Sequence, residues 1–380
     1  MRILIIGINI RHIASSACRA GHQVFAVDGY CDRDLACWAE ETSLLPLAAA
    51  EQAIPQFVNR FSPEAVVLGP GLEEASVPGA PVLNNPTGKF KQVSDKLWLA
   101  GWLDKNGFPF IRTFSGADAL AAATAGDLSY PFLIKPRRGA GGAGCRTAKS
   151  PHDLSLPGQV DGEAGEKVEM IAQELLSGRP ASVSVIGNGD DARAIAVNEQ
   201  LIGLSWSGAK GFRYSGNITP LEMQQRDLVR LASMAEEIVA GLGLVGSNGV
   251  DLLLTDEGPR VLEVNARFQG SLDSVEMAAG CNVFSAHLKA FRGELPGPLA
   301  PLRRTAGRII LYAPRDLTVK ADLCRQWSRD VPTVGSRVLA DDPLLSITAL
   351  GRDRRQVLAL LQRRAAKMLR LAGQGSHQKK

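Results

Sequence analysis

The stretch GVDLLLTDEGPRVLEVNAR holds two acidic side chains, Asp251 and Glu263, on either side of the turn-forming residues Asp256, Glu257, Gly258 and Pro259. A chain reversal centred on Glu257 makes the two acids cross-strand neighbours, so their carboxylates can share one ligand. Side chains alternate along a strand, which puts Glu263 and Asn265 on one face and turns Val264 the other way, into a core. Three oxygen donors then converge without His or Cys. Such hard donors suit Mg2+, with Mn2+ as the alternative. Mg2+ keeps some waters and takes one or two carboxylates together with phosphate oxygens. Arg267, two residues further along the same face, is placed to meet a phosphoryl group. A charged hairpin facing water would carry the same acids; the apolar runs on both strands, which bury the hairpin, favour the ligand site.

A second stretch, PFLIKPRRGAGGAGCR, puts Lys135 at the end of an apolar run and then opens a loop containing Gly139, Gly141, Gly142 and Gly144. An ammonium there can sit on phosphate oxygens while backbone N–H groups cover them. The GxxxxGK[ST] phosphate loop is absent, and taken alone the segment reads as a flexible hairpin with basic rims. Lys96 opens an amphipathic segment, SDKLWLAGWL. A lone lysine in a first helical turn is ordinarily solvated, and only the company of the other two stretches gives it weight.

Elements must hold these side chains in place. Through residues 1–85, apolar runs (RILIIGI, HQVFAVD, AVVLG, APVLN) alternate with helix-like segments, the pattern of an open parallel sheet wrapped by helices. Asn84, Asn85 and Pro86 punctuate its end. A second unit, 86–165, starts with the helical spacing of VSDKLWLAGWLDKNG, stopped by Gly107, and contains the glycine hairpin between PFLIKP and GCRTA. Pro, Gly, Asp and Ser between Pro151 and Glu166 predict a surface connection. A third unit, 166–298, carries strands at ASVSVIGN and ARAIAVNEQLIG, a helix from Pro220 to about Gly241 and the acidic hairpin. A smaller lobe, 299–380, is expected from RRTAGRIILYA, LLSITALG and a helix from Asp353 to about Leu371.

The chain of 380 residues is 45% hydrophobic and 22% charged, enough apolar material for two to three domains. Lys and Arg total 43 against 39 Asp and Glu, a net charge of +4. That surplus is too small to indicate nucleic acid and is compatible with an anionic ligand. Cys18, Cys31, Cys37, Cys145, Cys281 and Cys324 lie far apart without CxxC or metal spacing, which predicts reduced thiols in a cytoplasmic protein. The apolar run in MRILIIGINI is too short for a signal or a spanning helix, and no other segment predicts a membrane span.

Together the stretches resemble the ATP-grasp superfamily, which includes D-alanine ligase, biotin carboxylase and carbamoyl-phosphate synthase. Their order carries the resemblance: DK opening a helix, KP before a glycine loop, QELLSGRPASVSV, then D…E-x-N-x-R. The opening GINIRHIASSACRAGHQVFAVDGYCDRDL further resembles a group described as ATP-grasp carboligases, found in archaea and in bacteria that use methanopterin-type one-carbon cofactors. The resemblance implies an ATP-grasp fold of α/β and α+β parts: an open parallel pre-ATP-grasp domain, two ATP-grasp subdomains and a small C-terminal lobe. It implies Lys96 and Lys135 as phosphate-binding lysines, and Gly139, Gly141, Gly142 and Gly144 as a flap over the triphosphate. Gln173, Glu174, Leu175 and Leu176 would hold the adenine. Asp251, Glu263 and Asn265 would hold one or two Mg2+, with Lys135 and Arg267 as the catalytic groups. Where several relatives carry an acid for the ribose hydroxyls, this chain has Arg179 and Pro180, which leaves ribose binding without its usual partner.

The activity implied is ATP-dependent ligation of a carboxylate to an amine, or to a thiol, through an acyl phosphate with release of ADP. A small-molecule product such as a methanopterin- or methanofuran-type cofactor fits. A carboxylase of biotin-carboxylase type is the alternative within the class, although no bicarbonate site is evident. No Ser/His or Cys/His set calls for a covalent enzyme intermediate. ATP and small carboxylate and amine substrates are the expected partners, with a homodimer as a further expectation and neither nucleic acid nor membrane. In GAKGFRYSGNITP, Lys210, Arg213, Tyr214 and Asn217 either bind the substrate carboxylate or form a loop with exposed basic residues. Asn9, Arg11 and His12 follow the first strand, where open α/β sheets place ligands; His12 serves equally as a helix-start residue.

An NAD(P)-dependent oxidoreductase would use that same region, with Asp28 ending the second strand. Asn9 and His12, however, stand where GxGxxG needs glycines. The basic run from Arg352 to Lys380 would suit nucleic acid. Apolar residues interleaved there at helical spacing predict instead a packed helix with a solvated basic face.

Overall fold

The computed structural model describes residues 1–139, 141–154, 159–161 and 167–373. At the N-terminus, β1 (Arg2–Gly7), β2 (Gln23–Asp28), β3 (Glu41–Leu44) and β4 (Ala65–Leu68) form a parallel sheet in the order β3-β2-β1-β4. Alternation splits β1 between two cores. Ile3 and Ile5 pack with Ile13 and Ala17 of α1 (Arg11–Arg19), while Leu4 and Ile6 pack with Ile54, Val58 and Phe61 of α2 (Ala50–Phe61). Burial on both faces is why this strand reads as a continuous apolar run. The APVLN run, expected as a strand, makes only a bridge from Val82 to Val66. β4 is thus one edge strand of the sheet, and the other is the half-exposed ETSL, which no apolar pattern marks.

The helix expected to open at Lys96 is α4 (Lys96–Lys105), and an unforeseen helix, α3 (Thr87–Ser94), precedes it. Asp95 separates them with an extended backbone (φ −80°, ψ 102°), and its carboxylate accepts from Leu97 N and Trp98 N at 3.1 Å each. That is a helix N-cap, and it fixes Lys96 in the first turn of α4.

A small antiparallel sheet, ordered β5-β9-β6-β7 with β8 on β9, carries the glycine loop. It comprises β5 (Thr113–Ser115), β6 (Phe132–Pro136), β7 (Arg146–Ala148), β8 (Gln159–Asp161) and β9 (Lys167–Glu174), with α5 (Ala119–Ala125) against it. Of the connection expected between Pro151 and Glu166, the described part is one turn, Pro151–Leu154, and β8. The rest of it lies outside the described residues, as do Ala140, Lys379 and Lys380.

The acidic hairpin belongs to an eight-stranded sheet. It is built from β10 (Arg179–Asn188), β11 (Ala192–Ile202), β12 (Tyr214–Thr219), β13 (Val245–Thr255), β14 (Gly258–Asn265) and three later strands. α6 (Gln225–Gly241) and α4 cover one face, burying Leu99, Leu103, Leu231, Ala235 and Ile238 against Val183, Val185 and Val250. Each fully buried aliphatic side chain of this kind contributes about 1.5–3 kcal/mol. α6 starts later than the expected Pro220, because the chain first turns to bury Leu221; Asp227 then favours the helix N-terminus. α7 (Leu272–Ala279) and α8 (Val283–Ala290) join α1 in the core beside the N-terminal sheet.

Of the five described strands after 298, three join the large sheet and two pair only with each other. The five are β15 (Thr305–Tyr312), β16 (Leu317–Thr318), β17 (Ser328–Arg329), β18 (Arg337–Val338) and β19 (Pro343–Gly351). β15 pairs with β12 from Gly216↔Ile309 to Thr219↔Ala306, which covers an edge that would otherwise stay unpaired. The large sheet therefore runs β14-β13-β10-β11-β12-β15-β19-β17. α9 (Arg354–Gly373) buries Val357, Leu361, Ala365 and Met368 in the core of those strands. Some of its basic residues have internal work: Arg354 pairs with Glu199 at 2.7 Å, and Arg364 bonds Thr348 O and lies over the Trp327 ring. Among the described residues no helix is long and apolar enough to cross a membrane.

Candidate active site

Asp251 does stand opposite Glu263, by a route the turn residues do not show. Around a two-residue loop, Asp256 and Glu257, the register is Thr255↔Gly258 through Leu252↔Val261. A bulge then absorbs Leu262, and the pairing resumes as Asp251↔Glu263, Val250↔Val264 and Gly249↔Asn265. Without the bulge Asp251 would oppose Leu262. Val264 is buried in the core, as alternation requires. Asn265 Nδ2 donates to Asp251 Oδ2 at 3.2 Å.

This hairpin forms one wall of a cavity of ≈ 630 Å³ that the glycine loop covers. Lys96 and Lys135, only 9% and 8% exposed, enter it from α4 and β6. Lys96 Nζ lies 3.6 Å from Glu263 Oε2 and donates to Gly139 O at 2.8 Å. Lys135 Nζ donates to Gln173 Oε1 at 2.7 Å. Gly141, Gly142 and Gly144 have φ of +67°, +76° and +69°, the left-handed region that glycine adopts most readily. Gly141 O accepts from Tyr214 N at 3.2 Å, so the loop rests on the segment that leads into β12.

The two acids of the hairpin are held in different electrostatic states. Burial pushes the Asp251 carboxyl well above the usual carboxylate range, and the neighbouring Glu263 adds to the shift. Burial works the same way on Glu263, but Lys96 and Lys135 outweigh it and hold this carboxyl below its ordinary value. Two adjoining acids of which one is starved of positive charge, with an amide oxygen beside them, fit a hard divalent cation. Among the described residues no group of three or more His, Cys, Asp or Glu gathers.

Gln173, Glu174, Leu175, Leu176 and Pro180 line the same cavity, together with Gly139, Gly141, Gly142, Arg267 and Tyr214. Several residues of the sequence reading lie outside its lining, Asn9, His12 and Lys210 among them. Gly144 packs toward Pro136. Arg11 is 1% exposed, donating from Nη1 to Asp273 Oδ1 at 2.9 Å and from Nε to Asp330 Oδ1 at 3.0 Å. Arg213 bonds Asp341 O and lies over the Tyr312 ring. Asn217 is fully buried, bonded to Ser274 and Thr219. Arg179 reaches Glu199 at 2.9 Å. The Asp28 carboxylate accepts from Ile10 N, Tyr30 N and Cys31 N, which commits it to the chain's own backbone rather than to a ribose.

The sequence reading missed Gln200, Gln269 and Arg308, which face the cavity, and Glu73, which touches Arg267. A polar residue inside an apolar strand, such as Arg308 in GRIILY, is the signal that was there to use.

Residues 93–271 match the model of the ATP-grasp domain. The chain carries an ATP-grasp domain. A protein of Methanocaldococcus jannaschii described as uncharacterized is 24% identical over 371 residues, covering 92% of this chain and 88% of its own length. A formate-dependent phosphoribosylglycinamide formyltransferase of Synechococcus is 23% identical, covering 79% of this chain and 78% of its own. The crystal structure of an L-amino acid ligase from Bacillus licheniformis superposes with a TM-score of 0.69 at 19% identity, covering 97% of this chain and 98% of that one. The fold is thus the ATP-grasp fold, and the chain is an ATP-grasp enzyme of the ATP-dependent ligase type, with ATP and Mg2+ as its cofactors.

One consequence can be read from Lys135. Burial lowers its ammonium to about 8, with Glu263 opposing and Lys96 adding to the shift. The charged form therefore prevails below that pH and is lost above it. ADP affinity measured by calorimetry is expected to hold steady up to about pH 7 and to fall as the pH rises through about 8. Lys135→Arg, charged throughout, should flatten the profile.

Proposed function

We propose that this ATP-grasp enzyme joins a small-molecule carboxylate to an amine through an acyl phosphate, releasing ADP. The observation that carries the reading is the meeting in one covered cavity of two buried lysines, the Asp251–Glu263 pair with Asn265, and Arg267. A carboxylate is a poor electrophile and must first be phosphorylated. Lys96 and Lys135 neutralise the charge spread over the phosphoryl oxygens, and Arg267 steadies the group in transfer. Asp251, Glu263 and Asn265 would hold one or two Mg2+, which would polarise phosphate oxygens. Gln173 to Leu176 seat the adenine, and the glycine loop keeps water from the activated carboxyl. Tyr214, Gln200 and Gln269 face the cavity from β12, β11 and the segment after β14, and we assign them to the acceptor's side of it.

The formyltransferase relative, whose name pairs formate with phosphoribosylglycinamide, supports a carboxylate as the activated group. The resemblance of the opening segment to carboligases of methanopterin-using organisms supports a place in one-carbon cofactor synthesis. The free thiols of all six cysteines support a cytoplasmic enzyme.

The test is ADP release with pools of carboxylates and amines, followed by mass spectrometry of the product. A product carrying both partners, formed with one ADP, is expected. ADP release that needs only bicarbonate, or none with any pool, would overturn the reading.

A further inference from the structure

Arg267 is held from outside its own unit. Its Nε lies 3.1 Å from Oε1 of Glu73, which comes from the loop after β4 in the N-terminal sheet. Glu73 is 9% exposed, and its other oxygen, Oε2, accepts from Gly71 N at 2.8 Å. Gly71 has φ +87° and lies so close to the Ile8 side chain that a Cβ there would collide with it. The turn thus takes a backbone form that glycine adopts most readily, and Glu73 meets Arg267 from it. The rest of the guanidinium is loosely tied: Nη2 donates to Asn265 Oδ1 and Nη1 to Phe268 O, both at 3.3 Å.

A guanidinium is itself a cation that a carboxylate pair can bind, and in bidentate fashion. Arg267 already acts electrostatically on both Asp251 and Glu263. A restraint on its position therefore decides whether it supplements a metal ion at that pair or competes with one. We infer that Glu73 is a positioning residue that holds Arg267 away from the Asp251–Glu263 pair and keeps the pair free for a divalent cation. This rests on the metal role proposed above for those acids. The N-terminal unit would then govern metal occupancy in the ATP-grasp domain without supplying a ligand.

Calorimetric binding of ADP to the full chain, over a range of Mg2+ and again with EDTA, tests this. Glu73→Gln keeps the shape and an acceptor for Gly71 N–H but loses the charge. It is expected to weaken Mg2+ half-saturation about tenfold, the lower end of the 10–100-fold that outer-shell partners contribute to metal affinity. ADP affinity in EDTA should not change. In an Arg267→Met background the same change at Glu73 is expected to have no further effect, since no guanidinium remains to restrain.

An unchanged Mg2+ requirement in Glu73→Gln, or an equal loss in the Arg267→Met background, overturns the inference. Should Glu73→Gln fail to fold by its unfolding midpoint, Glu73→Asp must show the same weakening in smaller degree, and its absence counts equally against the inference. Metal-independent ADP binding in the wild type would instead sink the metal role of Asp251 and Glu263, so the two failures are told apart.

Discussion

Glu263→Gln is expected to lower ADP formation by a factor on the order of 10²–10³, the range seen when one group that stabilises developing charge is removed. Of the two acids it is Glu263 that Lys96 and Lys135 keep ionised, whereas burial and its neighbour push Asp251 toward the neutral form. The substitution therefore removes the charge that is present at neutral pH, and Asp251 alone inherits the cation. Little packing is lost, because the Glu263 side chain is 25% exposed. Two effects on stability oppose each other: Lys96 loses its ion pair, and Asp251 is relieved of a like charge. The thermal midpoint should accordingly shift by no more than a few degrees, on the order of 1 kcal/mol of stability. Wild-type ADP release from a folded Glu263→Gln variant would refute the assignment of the pair.

How much of this was legible beforehand depended on whether the deciding contact was local. Alternation along VLEVNAR is a local rule, and it correctly separates Glu263 and Asn265 from Val264. Asp95 before Lys96 is likewise a local signal, since Asp is a preferred N-cap residue. The bulge at Leu262 is not, because no glycine marks it and its evidence is a register between two strands. Arg11 shows the limit most clearly. The end of a parallel strand is where a ligand-binding arginine would stand, yet its charge is matched by Asp273 and Asp330. Those partners come from α7 and from the residue after β17, and nothing near Arg11 in the sequence announces them. Glu73 was invisible for the same reason, since its loop and Arg267 meet only when the N-terminal unit docks. The continuous sheet across residue 298 was also unreadable, because pairing between β12 and β15 is a property of two edges rather than of either strand.

The glycine loop allows a sharper prediction than its composition does, because its glycines are glycines for different reasons. Gly141 has φ +67° but open space where a Cβ would be. Gly142 has φ +76°, and a Cβ there would overlap the carbonyl oxygen of Phe212 and come within 2.7 Å of its carbon. Gly141→Ala thus meets backbone strain alone, about 1 kcal/mol. Gly142→Ala meets that strain and a steric block against a backbone that cannot rotate away. Relief requires the loop to lift from the 212–214 segment, which breaks the bond from Tyr214 N to Gly141 O. An open loop admits water to the activated carboxyl. Gly142→Ala is therefore expected to lower product formation about 10²-fold, the size of loss that a displacement near 1 Å produces. It should also raise the ratio of ADP to product, because hydrolysis competes with ligation. Gly141→Ala should keep that ratio near the wild-type value. Equal behaviour of the two variants would mean that contact with Phe212 plays no part, and that the loop closes by some other surface.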